Sequence, residues 1–170
     1  AGFCGRISAD EQPATNTCDA WVTSEDPEKP TCSQFGAGPT PPIPADFFNP
    51  GSQPFIGQIC YSGEPLGETP FGFFEQADTL ICRPDGDPFD RCSLPEPVGV
   101  NIPIEIVALS LVSIDPIVVQ YPPPTPPELW TVRVGLSALP TPTGSMNVRK
   151  THCNGGTWDS TLPVQAKFTF

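Results

Sequence analysis

The sequence predicts an all-β protein, an antiparallel β-sandwich with long proline-rich irregular segments and disulfides. Three observations carry this: the proline content, a two-residue alternation of apolar side chains in the second half, and seven cysteines without metal-ligand spacing. The chain of 170 residues contains 25 Pro and 15 Gly. Proline lacks a backbone N–H and clashes with the preceding helical turn, and no stretch keeps apolar residues at i, i+3, i+4 and i+7 without a Pro or Gly inside it. Long helices are thereby excluded, leaving strands, turns and polyproline II segments. Leu, Ile, Val and Phe together make 41 of 170 residues, enough for a core, though a modest one.

The two halves differ in character. Residues 1–99 hold 15 Asp/Glu against 4 Lys/Arg, whereas residues 100–170 hold 4 against 4, so the net charge of −11 sits in the first part. Six of the seven cysteines are there too. The expectation is an acidic Cys/Pro-rich region, 1–99, that packs with sandwich core strands in 100–170, because the acidic part alone has too little patterned apolar sequence to bury a core.

Along the chain, Thr40-Pro-Pro-Ile-Pro44 and the run from Phe47 to Gln53, with Asn49-Pro50-Gly51, read as polyproline and turn. Short strands are expected at Phe55 to Tyr61 and Thr79 to Arg83, with Phe71, Phe73 and Phe74 packing onto the core between them. Val100, Ile102, Ile104, Ile106 and Ala108 alternate with other residues at the period of a half-buried strand. Pro103 places that stretch at a sheet edge or a strand start. Ile117 to Tyr121 forms another strand, ended by Pro122-Pro-Pro-Thr-Pro-Pro127. Trp130, Val132, Val134 and Leu136 then alternate with Thr131, Arg133, Gly135 and Ser137. Pro140-Thr-Pro-Thr-Gly144 turns into a strand with Met146, Val148 and Lys150, and Asn154-Gly155-Gly156 turns the chain towards Leu162 to Phe170. Regularly spaced strands between such turns suggest the antiparallel sandwich.

Cys4, Cys18, Cys32, Cys60, Cys82, Cys92 and Cys153 include no C-x-x-C pair, so neither a structural zinc site nor a thioredoxin-like motif is indicated. They read as disulfide partners in an oxidising compartment, with a connectivity the spacing leaves open and one thiol left over. The start Ala1-Gly2-Phe3-Cys4, without initiator Met, basic region or apolar run, suits a mature secreted or cell-surface chain. The longest apolar stretch, from Ile102 to Val119, is interrupted by Pro103, Glu105, Asp115 and Pro116, so no membrane insertion is expected. There is no N-x-S/T sequon, which leans towards a bacterial source. The acidity speaks against nucleic acid and anionic lipid as partners. It favours solubility, cation binding or a basic partner.

The runs Ile102-Pro-Ile-Glu-Ile-Val-Ala-Leu-Ser-Leu111, Leu129-Trp-Thr-Val-Arg-Val134, Gly144-Ser-Met-Asn-Val-Arg-Lys-Thr-His152 and Asn154-Gly-Gly-Thr-Trp-Asp-Ser-Thr-Leu-Pro-Val164 carry a resemblance. Over about 70 residues this C-terminal part resembles uncharacterised secreted proteins of planctomycete-type bacteria. The resemblance implies secretion and a β fold and transfers no catalytic residue. Independently, Cys153 stands alone in the second half, so pairing among the other six would leave it as the odd thiol.

Cys82-Arg-Pro-Asp-Gly-Asp-Pro-Phe-Asp-Arg-Cys92 places Asp85, Asp87 and Asp90 in a loop between two cysteines. Calcium takes several hard oxygen ligands from such a carboxylate-rich turn. The loop lacks the frame and downstream Glu of an EF-hand, and Asp-Gly and Asp-Pro are also ordinary turn dipeptides. His152 and Cys153 invite a Cys–His nucleophile, but neighbours on a strand point to opposite faces. Asp159 and Ser160 would need His152 as base to form a Ser-His-Asp site. Glycoside hydrolysis needs two suitably spaced carboxylates, and nothing pairs any two here. Trp21, Trp130 and Trp158 could supply a sugar-binding platform, although Trp130 falls among core positions. The terminal alternation Val164, Ala166, Phe168, Phe170 fits the closing strand of a soluble sheet better than an outer-membrane barrel, which needs many long strands free of proline. The chain therefore reads as a structural or interaction protein of the cell envelope rather than an enzyme, a subunit that self-assembles into a filament or layer, or binds other envelope proteins, by strand addition. The alternatives are a calcium-stabilised or carbohydrate-binding module and, third, a small extracellular hydrolase.

Overall fold

A computed structural model of the chain describes residues 17–23, 31–37, 40–83, 99–152 and 155–170. They form fourteen strands and no helix: β1 (Thr17–Trp21), β2 (Thr31–Phe35), β3 (Gly57–Gly63), β4 (Gly67–Thr69), β5 (Gly72–Phe74), β6 (Thr79–Arg83), β7 (Gly99–Leu109), β8 (Leu111–Ser113), β9 (Ile117–Val119), β10 (Glu128–Trp130), β11 (Arg133–Leu136), β12 (Gly144–His152), β13 (Gly155–Thr161) and β14 (Ala166–Thr169). Two five-stranded sheets make a sandwich of curled antiparallel layers. Sheet I runs β1-β6-β7-β12-β13 and sheet II runs β14-β11-β8-β3-β2, with two-stranded ribbons β9–β10 and β4–β5 beside them. Strands from both sides of residue 99 are hydrogen-bonded within each large sheet.

The alternation in β7 is realised as burial of Ile102, Ile104 and Ile106 at 4% exposure or less. Directly paired residues share a face, so Ile102 lies with Met146 on β12, and Val148 lies with Trp158 on β13. Trp21 on β1 meets Trp158 on β13 with ring centroids 5.6 Å apart and ring planes 71° apart. Since β1 and β13 are opposite ends of sheet I, the sheet is curled until side chains from its two edges touch. Pro103 lies in the middle of β7, not at its start, and β7 is a central strand. Its neighbours are staggered: β12 pairs with residues 99–104 and β6 with 105–109. Among the described residues Pro103 therefore has a ladder partner, Ser145, on one side only, so its missing N–H is tolerated there.

The chain passes from sheet I to sheet II at Ser110, between β7 and β8. Its N–H donates to the Asp78 carbonyl (2.8 Å) and its carbonyl accepts from the Glu64 N–H (2.9 Å). The Asp78 side chain is 1% exposed. It accepts from the Thr23 N–H (2.6 Å), the Thr23 hydroxyl (2.9 Å) and the Thr79 hydroxyl (2.7 Å), the saturation a buried carboxylate requires. A Cβ on Gly63 would overlap that carboxylate, so glycine at the end of β3 is what admits it.

The Trp130 to Leu136 alternation is not one strand. Trp130 ends β10, which pairs with β9, and Arg133 begins β11, which pairs with β8 and β14. Ser113 holds the break: its N–H donates to the Val132 carbonyl (2.8 Å) and its Oγ accepts from the Val132 N–H (3.1 Å). The phase survives, with Val132 and Val134 buried and Thr131 and Arg133 exposed. Ile59, Tyr61, Leu111 and Val134 of sheet II form the main core with Ile117, Val119, Ile43 and Phe48. Phe71 and Phe73, expected in the core, lie on the β4–β5 hairpin and are 38% and 67% exposed.

Two disulfides join directly paired positions of neighbouring strands: Cys18–Cys82 across β1 and β6, and Cys32–Cys60 across β2 and β3. Cys4, Cys92 and Cys153 lie outside the described residues. Such bonds are typical of extracellular proteins. Among the described residues no helix is long and apolar enough to cross a membrane.

Candidate functional site

The outer end of sheet II carries an open aromatic groove of about 340 Å³, lined by Phe47, Phe48, Trp130, Lys167, Phe168, Thr169 and Phe170. Three segments build it. The first is the turn after Ile43, which is pinned to Phe55 by a pair of backbone hydrogen bonds of 3.1 and 3.0 Å. Asp46 at φ 62° and Gly51 at φ 88° make the turn tight, and Asp46 Oδ1 accepts from the Gly51 N–H at 2.6 Å. That reversal leaves Phe47 and Asn49 exposed and turns Phe48 into the core. The second segment is β10, with Glu128 and Trp130. The third is β14, followed by Phe170.

Phe47, Phe48 and Phe170 interlock edge to face, and Trp130 lies tilted against Phe48. Phe48 and Phe170 stand 5.3 Å apart, Phe47 and Phe170 5.3 Å, Phe47 and Phe48 5.2 Å, and Phe48 and Trp130 5.4 Å between centroids. Phe48 is buried while Phe47 remains 51% exposed, so the array has an anchored floor and a wet rim. Lys167 is the cation on that rim.

Behind the rings lies a polar cluster centred on one oxygen. Glu128 Oε2 accepts from the Tyr121 hydroxyl (2.7 Å), Asn49 Nδ2 (2.9 Å) and the Trp130 indole N–H (3.2 Å). The Tyr121 hydroxyl, foremost, and the Asn49 and Trp130 donors hold the Glu128 carboxyl below its ordinary pKa against the opposing effect of burial. Burial first, and then the bond to Glu128, push the Tyr121 phenol up. Tyr121 and Glu128 bracket the exposed Pro122–Pro127 segment, so the cluster closes that loop as well as orienting Trp130.

The sequence singled out Trp130 but neither Glu128 nor Asn49. Their only signal was position, beside the proline run and inside the Asn-Pro-Gly turn. The three tryptophans do not share a platform: Trp21 stacks on Trp158 in sheet I, whereas Trp130 packs on Phe48 in the groove. Asp85, Asp87, Asp90 and Cys153 lie outside the described residues, and His152 is the last residue of β12. Asp159 and Ser160 are exposed on β13. Among the described residues no group of three or more His, Cys, Asp or Glu is placed to hold a metal ion.

No family model matches this chain, and neither a curated protein nor a solved structure matches it. The site is therefore read from its own chemistry.

Its two parts differ in what they can do. The groove offers apolar ring faces and a lysine, suited to an extended peptide or a sugar ring. Immediately beside it, β14 is the terminal strand of sheet II, and among the described residues nothing pairs with its outer edge. An edge of this kind presents backbone N–H and C=O groups to an incoming strand.

Proposed function

We propose that this is a secreted or cell-surface structural or interaction protein that associates with a second copy or another envelope protein by strand addition. The observation that carries the reading is the adjacency of an open sheet edge, β14, to the aromatic groove of Phe47, Phe48, Trp130 and Phe170. Main-chain hydrogen bonds along an edge supply affinity, and pockets for alternate side chains supply register. The two disulfides support an extracellular setting. The acidic surface favours solubility of the free subunit and a basic patch on whatever it meets.

The test is the native, non-reduced mass over a wide concentration range by light scattering, backed by electron microscopy. Concentration-dependent growth, lost on Phe47→Asp or on adding a charge to β14, supports the reading. A monomer at every concentration, under reducing and non-reducing conditions and without a bound envelope partner, removes it.

A second reading is a carbohydrate-binding module at the same groove. It is favoured by the polar set of Glu128 and Asn49 beside the Trp130 ring, a combination of carboxylate, amide and aromatic face that suits sugar hydroxyls and C–H faces. Calorimetric titration with polysaccharides decides it, with Trp130→Ala as the control. The calcium expectation at Asp85, Asp87 and Asp90 is tested by the same method with calcium alone, where the absence of heat counts against it.

A further inference from the structure

Four strands end the two large sheets: β1 and β13 in sheet I, β14 and β2 in sheet II. Their charges differ in a way that selects partners. β14 carries one cation, Lys167, and β2 carries no charge. β1 carries Asp19, already paired with Arg83 at 2.9 Å. β13 carries Asp159, which is exposed and, among the described residues, has no ion pair, as is also true of Lys167.

We propose that β13 of one copy adds antiparallel to β14 of the next, with Asp159 opposite Lys167. This rests on the strand-addition reading above and names its partner and register. Setting that one pair determines the others, because side chains alternate along both strands. Phe168 then faces Trp158, whose ring meets Trp21 of β1 edge to face in the single molecule, Thr169 faces Thr157, and Phe170 faces Gly156. Each is a favoured cross-strand combination: opposite charges, two aromatics, two threonines, and an aromatic covering a glycine.

The faces agree as well. Phe168 is paired with buried Val134 and so lies on the inner face of sheet II, while Trp158 is paired with half-buried Val148 on the face shared with Ile102 and Met146. Lys167 and Asp159 fall together on the outer side. Sheet II of one molecule thus continues into sheet I of the next. Lys167 in the middle of the edge strand opposes indiscriminate pairing, and an acid directly across from it converts that obstacle into selection. The contact uses different surfaces on the two molecules, so it is heterologous and propagates head to tail instead of closing as a two-fold dimer.

The experiment uses the whole chain with native disulfides and compares wild type, Lys167→Glu, Asp159→Lys, and an equimolar mixture of the two variants, by light scattering. Wild type should form a series of masses growing with concentration. Each variant alone should need about tenfold higher concentration to assemble, since it sets like charges opposite each other. Mixing them should restore assembly as an alternating copolymer. At one kind of junction the acid introduced on β14 of the first variant meets the base introduced on β13 of the second, and at the other kind the native Asp159 meets the native Lys167. That restoration also shows that both variants are folded. Wild-type polymers that neither variant affects, or a wild-type dimer of fixed mass, would overturn this interface while leaving strand addition standing at another edge. A wild-type monomer at all concentrations would overturn this interface, and strand addition falls with it only if no envelope partner binds the chain either.

Discussion

Tyr121 donates its hydroxyl to Glu128 across 2.7 Å and so ties together the two ends of the exposed Pro122–Pro127 segment. The same carboxylate oxygen receives Asn49 from the turn that carries Phe47 and Phe48, and the Trp130 indole N–H. One acceptor thereby joins a proline loop, a tight turn and the β9–β10 ribbon at the back of the aromatic groove.

This relationship sets a pH dependence. The folded-state pKa of Glu128 is depressed, so its contribution to stability is present above the ordinary carboxylate range and is lost as pH falls through the lower folded-state value. Thermal melts on a descending pH series should show a stability loss below the ordinary carboxylate range that is reduced in Glu128→Gln. Tyr121→Phe should also reduce that slope while leaving the melt at neutral pH less affected than Glu128→Gln does. An unchanged acid limb in both variants would show that the cluster does not contribute.

The Asp78 hub predicts a coupled pair of substitutions. Gly63→Ala forces a methyl into the volume of the Asp78 carboxylate and should cost about 1–3 kcal/mol, the usual penalty of overpacking. Asp78→Ala strands the Thr23 and Thr79 donors and should itself cost about 1–3 kcal/mol. With Asp78→Ala already present, Gly63→Ala should cost less than it does alone, because the carboxylate is gone and only the retained Cβ of residue 78, 2.8 Å from the new methyl, still has to give way. Urea unfolding of the four proteins in the cycle measures this, and simple additivity would contradict the packing described.

The two disulfides should differ in weight. Opening either one by paired Cys→Ala substitutions should cost about 2–5 kcal/mol. Cys18–Cys82 spans 64 residues and Cys32–Cys60 spans 28, so the longer closure should be worth roughly 0.7 kcal/mol more from loop entropy. Denaturant midpoints of the two double variants compare them, and the opposite ranking would show that packing around Cys32–Cys60 outweighs chain entropy.

Face assignment can be read from two truncations. Ile104, with no exposed surface, should lose about 2–5 kcal/mol on change to Ala, whereas Leu129, 69% exposed, should change by less than about 0.5 kcal/mol. Comparable losses at both positions would mean that Leu129 is covered in solution, as by a partner molecule on the β9–β10 ribbon.

Local pattern was enough to establish much of this molecule. The period-two run of Ile102, Ile104 and Ile106 is a strand with those residues buried, Thr79–Arg83 is β6, and the hydrophobic phase through Trp130, Val132 and Val134 survives in the structure. These features depend on side-chain alternation and on the backbone restriction imposed by proline and glycine, both of which act within a few residues. That the chain contains disulfides followed from the number of cysteines and their spacing.

Tertiary structure alone decided which strands are neighbours, which cysteines bond and where the groove lies. Val134 and Trp130 share a phase but belong to different sheets, because Ser113 captures the Val132 backbone between them and diverts the chain. Phe71 and Phe73 are as apolar as Phe48 yet stand exposed on a hairpin, since burial is set by what packs opposite a residue and not by its hydrophobicity. Asn49 reaches Glu128 across 79 positions of sequence. Contacts of that range leave no periodicity behind; they exist only once strands distant in the chain have paired and brought their loops to the same end of the sandwich.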